Sequence, residues 1–349
     1  ELLAERPDLL KNLVTLCARG EALTSLLIVQ PELLGQLADP TVFRTARRKA
    51  DFRRVLAEAL APRRSLAERK DWLRRAKQSE ELGVTWRFLA GVITVEEFSR
   101  ELTALADAAV SVAWTLAVSL VEEEREASRA GRKPLAPAVI VGLGKFGGRE
   151  LTTGSDLDLF VVYDGGDAAH AFYDRAAERL ASLLGDITQA GLVYPVDLRL
   201  RPGSRGSGFA SSRAALETYY REWADLWERQ SLTRARMVWG DPRLARRVGQ
   251  LIRQIVYRGP LSRGELKEIR EIRQRMELEL GKETPGRFNV KCGRGGLTDV
   301  EFTVQALQMG HGDRHPALRR TNTLAALAAI RRLRLLPDAK VVALADHYR

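Results

Sequence analysis

The chain has 349 residues, 45% hydrophobic and 29% charged, a balance that gives room for two or three cores and excludes a disordered or collagen-like chain. A formal charge of +11 and a pI near 9.9 suit a polyanionic partner or a nucleotide, although a solvated Arg-rich surface accounts for most of the excess. Cys17 and Cys292 are the only cysteines, which argues against a disulfide framework or a cysteine zinc site and for a reducing compartment. A chain that starts at Glu1, with no Met or basic leader, reads as part of something longer.

Residues 1–130 are expected to be helical. Pro7-Asp and Pro31-Glu each place proline in a first helical turn with an acid behind it. Residues 52–82 carry a basic face (Arg53, Arg54, Arg63, Arg64, Arg69, Lys70, Arg74, Arg75, Lys77) that reads as solvated, with docking of an acidic partner as the alternative. Residues 102–121 form one membrane-like window, but Asp107 and flanking acids favour a long, nearly buried helix of a soluble protein, opened by the Thr94-x-x-Glu97 capping box. The Gly- and Pro-containing stretch 127–137 marks a boundary, so the expected domains are 1–130, 131–240 and 241–349.

The texture then becomes β-rich, with strands expected at 138–141, 157–163 and 193–200 and a helix at about 168–190. Helices return from Ser211. Trp223 and Trp227 are assigned to the core, Asp241-Pro242 breaks the pattern, and helices at 243–257 and 262–281 follow. Gly293-Arg-Gly-Gly296 leads into a helix opening at Thr298, whose acids Asp299 and Glu301 are candidates for ordering a nucleotide site.

The chemistry concentrates in Gly142-Leu-Gly-Lys-Phe-Gly-Gly148 and Ser155-Asp-Leu-Asp158. Gly142-x-Gly144-x-x-Gly147 matches a dinucleotide fingerprint, but the interval from Gly148 to Ser155 is too short for a crossover helix. A Walker loop fails as well, because Lys145 is neither preceded by Gly-x-x-x-x-Gly nor followed by Ser or Thr. A turn at Gly144 and Lys145 instead offers backbone N–H groups and an ammonium to phosphates. With Leu157 and Leu159 inward, Asp156 and Asp158 share the other face, where a cation relieves their repulsion. In Val196-Asp-Leu-Arg-Leu-Arg201 the same alternation puts Asp197, Arg199 and Arg201 on one face. Asp156, Asp158 and Asp197 are therefore the candidate catalytic and metal-binding residues. Gly144, Lys145, Gly147, Ser155, Arg199 and Arg201 are the candidate nucleotide-binding residues, and the loop 202–209 is a candidate closure over substrate.

These residues resemble the nucleotidyltransferase superfamily of DNA polymerase beta, with Lys145 standing where a serine is common. Gly144-Lys-x-Gly-Gly-x-Glu-Leu151, Val196-Asp-x-Arg-Leu-Arg-Pro202, Trp227-Glu-Arg229, Arg234-Ala-Arg236 and Gly295-Gly-Leu-Thr-Asp-Val-Glu-Phe302 extend the likeness to glutamine synthetase adenylyltransferase. The resemblance implies an α+β, mainly helical protein, in which a polymerase beta-like domain with a small mixed sheet is flanked by helical domains. It implies ATP as substrate, two Mg2+ ions, glutamine synthetase and a PII-type nitrogen signalling protein as partners, and a cytoplasmic location without membrane or nucleic acid. Its adenylylating half is the better likeness; phosphorolytic removal of AMP and a non-catalytic regulatory fragment are the alternatives.

Overall fold

The computed structural model describes residues 6–19, 21–37, 45–62, 64–127, 136–197 and 208–349. It is mainly helical with one small mixed sheet, the α+β class expected. Contacts divide the chain into two compact units. One comprises Glu1–Gly131, Glu150–Asp156 and Glu178–Val196; the other comprises Arg132–Arg149, Leu157–Ala177 and Asp197–Arg349, so that the sheet and the C-terminal helices fall together.

In the first unit the helices Lys49–Ala59, Leu66–Leu89 and Val95–Ala127 pack on one another. The last begins where the capping box requires: Thr94 N–H donates to Glu97 Oε2 at 2.8 Å and Glu97 N–H donates to Thr94 Oγ1 at 3.2 Å. By length and composition it could cross a membrane, but 67% of its apolar window is buried inside the protein, which explains its apolarity as core packing. The basic helix Leu66–Leu89 departs from the solvated reading at two positions. Arg74 is fully buried and Lys77 nearly so, because backbone carbonyls satisfy the first and Glu81, at 2.5 Å, the second. Arg63 lies outside the described residues.

The sheet has five strands: β1 (Ala138–Gly142), β2 (Leu157–Tyr163), β3 (Val196–Asp197), β4 (Ala210–Ser212) and β5 (Arg236–Gly240). The order is β3-β2-β1-β5, with β4 also pairing β2. β1 runs antiparallel to both β2 and β5, whereas β4 runs parallel to β2. Antiparallel pairing of β1 with β2 rules out a dinucleotide-binding βαβ unit, whose strands are parallel. Val139, Val141, Phe160 and Val162 join Leu216, Leu244, Val248 and Ile252 in one core. A second core, around Val304, Leu318, Leu327 and Ile330, ties together the helices Leu297–His311, Thr323–Arg332 and Asp338–Tyr348.

The helix expected at 168–190 is Asp167–Gly185, and the one expected at 262–281 is α-helical over Arg263–Met276 before a π turn to Gly281. Trp223 and Trp227 are 73% and 38% exposed rather than core, because Leu216, Tyr220 and Leu226 occupy the inward positions of their helices. Between them lies a buried polar cluster. Glu228 accepts from Tyr219 Oη at 2.6 Å, while Arg229 reaches Glu265 at 2.7 Å and the Val256 carbonyl at 3.2 Å.

Burial alone would raise the Glu265 pKa. Hydrogen bonds from the Ser262 backbone and side chain, from Arg258 and from Arg229 outweigh it and hold the carboxyl down at about 2, from an ordinary 4.5. A depressed folded-state pKa stabilises above the unfolded value, and that contribution is lost as pH falls from 4.5 through about 2. Glu265→Gln should cost about 1 kcal/mol at pH 7, discounted for solvent screening, and flatten the decline of stability across that window. Urea midpoints measured from pH 5 to pH 2 check this, and parallel declines in the two proteins would contradict it.

Candidate active site

β1 delivers the chain to the glycine turn in a fixed register. Leu143, fully buried, donates its N–H to the Asp158 carbonyl at 2.8 Å, so the turn starts directly opposite the first acid of β2. One helical turn follows, Gly144–Gly148, closed by Arg149 in the left-handed region (φ 59°). Gly144 itself has φ +52°, and a Cβ there would collide with the Asp158 carboxylate. Two independent constraints, one conformational and one of close approach, thus demand glycine at this position. At Gly147 a side chain would run into the carbonyls of Arg234 and Gly142, so backbone packing is reason enough for glycine there.

The carbonyl end of the turn is held from two directions. The Arg236 guanidinium donates to the Phe146 carbonyl at 2.9 Å and the Gly147 carbonyl at 3.2 Å, and lies 5.2 Å from the Phe146 ring centroid. Asn322 Nδ2 donates to the Gly148 carbonyl at 3.1 Å while its Oδ1 caps the helix Thr323–Arg332. Behind the turn, buried Arg234 donates to Thr323 Oγ1 and, at 3.1 Å, to Tyr348 Oη, and pairs with Glu301 at 3.5 Å; Tyr348 Oη also donates to Glu301 at 2.9 Å. Glu301 therefore reaches the glycine turn through Arg234. Asp299 instead accepts from Gly295 N–H at 2.6 Å and pairs with Arg273 at 2.7 Å, fixing the loop before its own helix.

Arg236 and Asn322 were not among the sequence candidates. Arg236 lies in the Arg-Ala-Arg string, but nothing in its spacing says that its guanidinium turns back onto a carbonyl end, and Asn322 carries only the signal of a helix cap.

The acids come together as their alternation predicts. Leu157 and Leu159 are buried, Asp158 between them is half-buried, and Asp156 is exposed at the residue before β2. Asp197, half-buried at the end of β3, completes a group in which one carboxylate oxygen from each of Asp156, Asp158 and Asp197 lies within 4.8 Å of the others. Three hard oxygen donors at this separation fit a divalent cation such as Mg2+. Lys145 is half-buried on the glycine turn. Ser155 closes the turn before Asp156, accepting Thr152 N–H at 3.0 Å, with its hydroxyl 3.1 Å from Thr152 Oγ1. Arg199 and Arg201 lie outside the described residues, as does the loop from 202 to 207.

Comparison with protein-family models matches residues 10–250 to glutamate-ammonia ligase adenylyltransferase. The chain belongs to that family. Glutamate-ammonia ligase is glutamine synthetase, so the chain is a nucleotidyltransferase of a family that acts on this enzyme. Residues 264–349 match a second model, GlnD PII-uridylyltransferase, over the C-terminal helices. The adenylyltransferase match spans the glycine turn, all three acids and Arg236.

Gly144→Ala should strain the backbone by about 1–2 kcal/mol and displace the Asp158 carboxylate. The expected result is a folded protein, its thermal midpoint lowered by only a few degrees, that has lost most of its Mn2+ binding; Mn2+ titration checks this, and wild-type affinity would contradict it.

Proposed function

We propose that the chain transfers AMP from ATP to a tyrosine hydroxyl of glutamine synthetase and releases pyrophosphate. The observation that carries this reading is the convergence of Asp156, Asp158 and Asp197 beside the glycine turn, in a chain of the adenylyltransferase family. In the reaction the tyrosine oxygen bonds to the α-phosphorus, the bond from that phosphorus to the bridging oxygen of pyrophosphate breaks, and the hydroxyl proton passes to solvent.

The three carboxylates would hold two Mg2+ ions, which when bound lower the pKa of the acceptor hydroxyl and neutralise phosphate charge. The protein's own part is positioning and electrostatics. Gly144 lets the backbone approach the Asp158 carboxylate with no side chain between them. Lys145, and Arg199 and Arg201 from the segment after β3, are assigned to the β and γ phosphates, where guanidiniums bind bidentately. Gly147 keeps the turn tight, and Ser155 sets the angle at which the chain enters Asp156. The likeness of the C-terminal helices to a PII-uridylyltransferase supports a PII-type protein as the regulatory partner. A PII-type partner and an ATP-dependent reaction support a cytoplasmic location.

Incubation with glutamine synthetase, Mg2+ and α-labelled ATP tests the direction. Label on the synthetase is expected. Label released by inorganic phosphate from pre-modified synthetase, with none incorporated, would make the chain a deadenylylating enzyme, and neither outcome would leave it a binding module. Asp158→Asn should reduce transfer on the order of 10²–10³-fold or more while the circular dichroism spectrum stays unchanged; retained transfer would remove Asp158 from the site.

A further inference from the structure

The three acids are not held alike. Asp158 sits in the antiparallel register of β1 and β2, between buried leucines. Asp197 ends a strand of only two residues, and Asp156 precedes its strand. The strand of Asp197 pairs with β2 over those two residues only and Asp156 lies outside the strands, so the segments leading to them are held by further contacts.

Both segments are tied to one helix, Leu66–Leu89. On the approach to Asp197, Lys70 Nζ donates to Asp186 Oδ2 at 2.6 Å and Ser182 Oγ at 3.1 Å. Fully buried Arg74 donates to the carbonyls of Asp186 and, at 2.8 Å, Gly191. Gln78 Nε2 donates to the Ala190 carbonyl at 3.0 Å, and the Lys77 ammonium lies 4.3 Å from the ring centroid of buried Tyr194. On the approach to Asp156, Thr85 Oγ1 and Thr153 Oγ1 are hydrogen-bonded at 3.2 Å. Positions 70, 74, 77, 78 and 85 recur at helical intervals and so share a face. That face spends buried cationic and polar groups on two loops, where apolar side chains would serve packing at lower cost.

We propose that Arg74, Lys77, Gln78 and Thr85 are positioning residues for Asp156 and Asp197, setting the separation of these carboxylates from Asp158 and hence the affinity for divalent cation. This rests on the metal-binding reading of the triad. Groups that orient metal-ligating side chains typically shift affinity on the order of 10-fold or more when removed.

The test is Mn2+ binding, followed by electron paramagnetic resonance, together with thermal unfolding of the same proteins. Thr85→Val and Lys77→Met keep volume and each remove one tie to the loops, the second also breaking the Lys77–Glu81 pair. Both should weaken Mn2+ binding on the order of 10-fold; the thermal midpoint of Thr85→Val should stay within a few degrees of wild type, that of Lys77→Met should fall because half-buried Glu81 loses its partner, and Arg74→Lys should bind with intermediate affinity. Arg87→Met is the comparison: it breaks the buried Arg87–Glu101 pair of the same helix, so it should lower the midpoint and leave Mn2+ affinity intact. Unchanged affinity in Thr85→Val and Lys77→Met, or an equal loss in Arg87→Met, would overturn the proposal. Asp158→Asn separates the two layers. If it binds Mn2+ like wild type, the metal reading falls and this inference with it. If it loses Mn2+ while Thr85→Val and Lys77→Met do not, this inference alone falls.

Discussion

Three carboxylates with oxygens inside 4.8 Å of one another repel, by about 1 kcal/mol per pair in water and about 4 at the effective dielectric of a protein surface. A chain free to relax would let them part. The surrounding structure prevents this: Leu157 and Leu159 anchor β2 in the core, Leu143 locks β1 to the Asp158 carbonyl, and Gly144 brings the backbone against the Asp158 carboxylate. Repulsion held in place by packing becomes affinity for a divalent cation, which relieves it.

The same logic explains where the buried polar groups lie. Arg234 with Glu301, Tyr348 and Thr323, and Arg236 with the carbonyls of Phe146 and Gly147, surround a turn of only five residues that has no intrinsic stability as a helix. Each guanidinium satisfies carbonyls or a carboxylate that would otherwise be buried unpaired. The C-terminal helices thus meet the glycine turn at two points: Asn322 donates to the Gly148 carbonyl, and Glu301 and Tyr348 hold Arg234. This gives a role to the string Gly295-Gly-Leu-Thr-Asp-Val-Glu-Phe302, far along the chain from the acids: its Glu301 ends on Arg234, whose carbonyl abuts Gly147.

Much of this was legible in the sequence because it rests on local rules. Alternation of Leu157 and Leu159 with Asp156 and Asp158 put the acids on one face, the interval from Gly148 to Ser155 excluded a crossover helix, and Thr94 with Glu97 announced the longest helix. What escaped depends on partners distant in the chain. β4 is three residues with little apolar character, created by pairing with Val161–Tyr163 and by the Asp174 carboxylate, which accepts from Phe209 and Ala210 N–H. β5 lies in an Arg-rich run between helices and is a strand because β1 needs a second neighbour. Arg74 and Lys77 read as solvent-facing charges, since no local pattern reveals that the chain at 186–194 returns to cover them. Trp223 and Trp227 failed for the converse reason: large aromatic surface suggests a core, but the inward helical positions were already taken.

The central claim is that Asp156, Asp158 and Asp197 together bind the divalent cations of the reaction. Anomalous diffraction from crystals grown with Mn2+ and a non-hydrolysable ATP analogue tests it most directly. The account predicts manganese at the triad, with a carboxylate oxygen of each of the three acids about 2.1 Å from one of two ions and the analogue's phosphates completing the coordination. A fully occupied nucleotide with manganese bound elsewhere, or with Asp197 turned away from both ions, would contradict it.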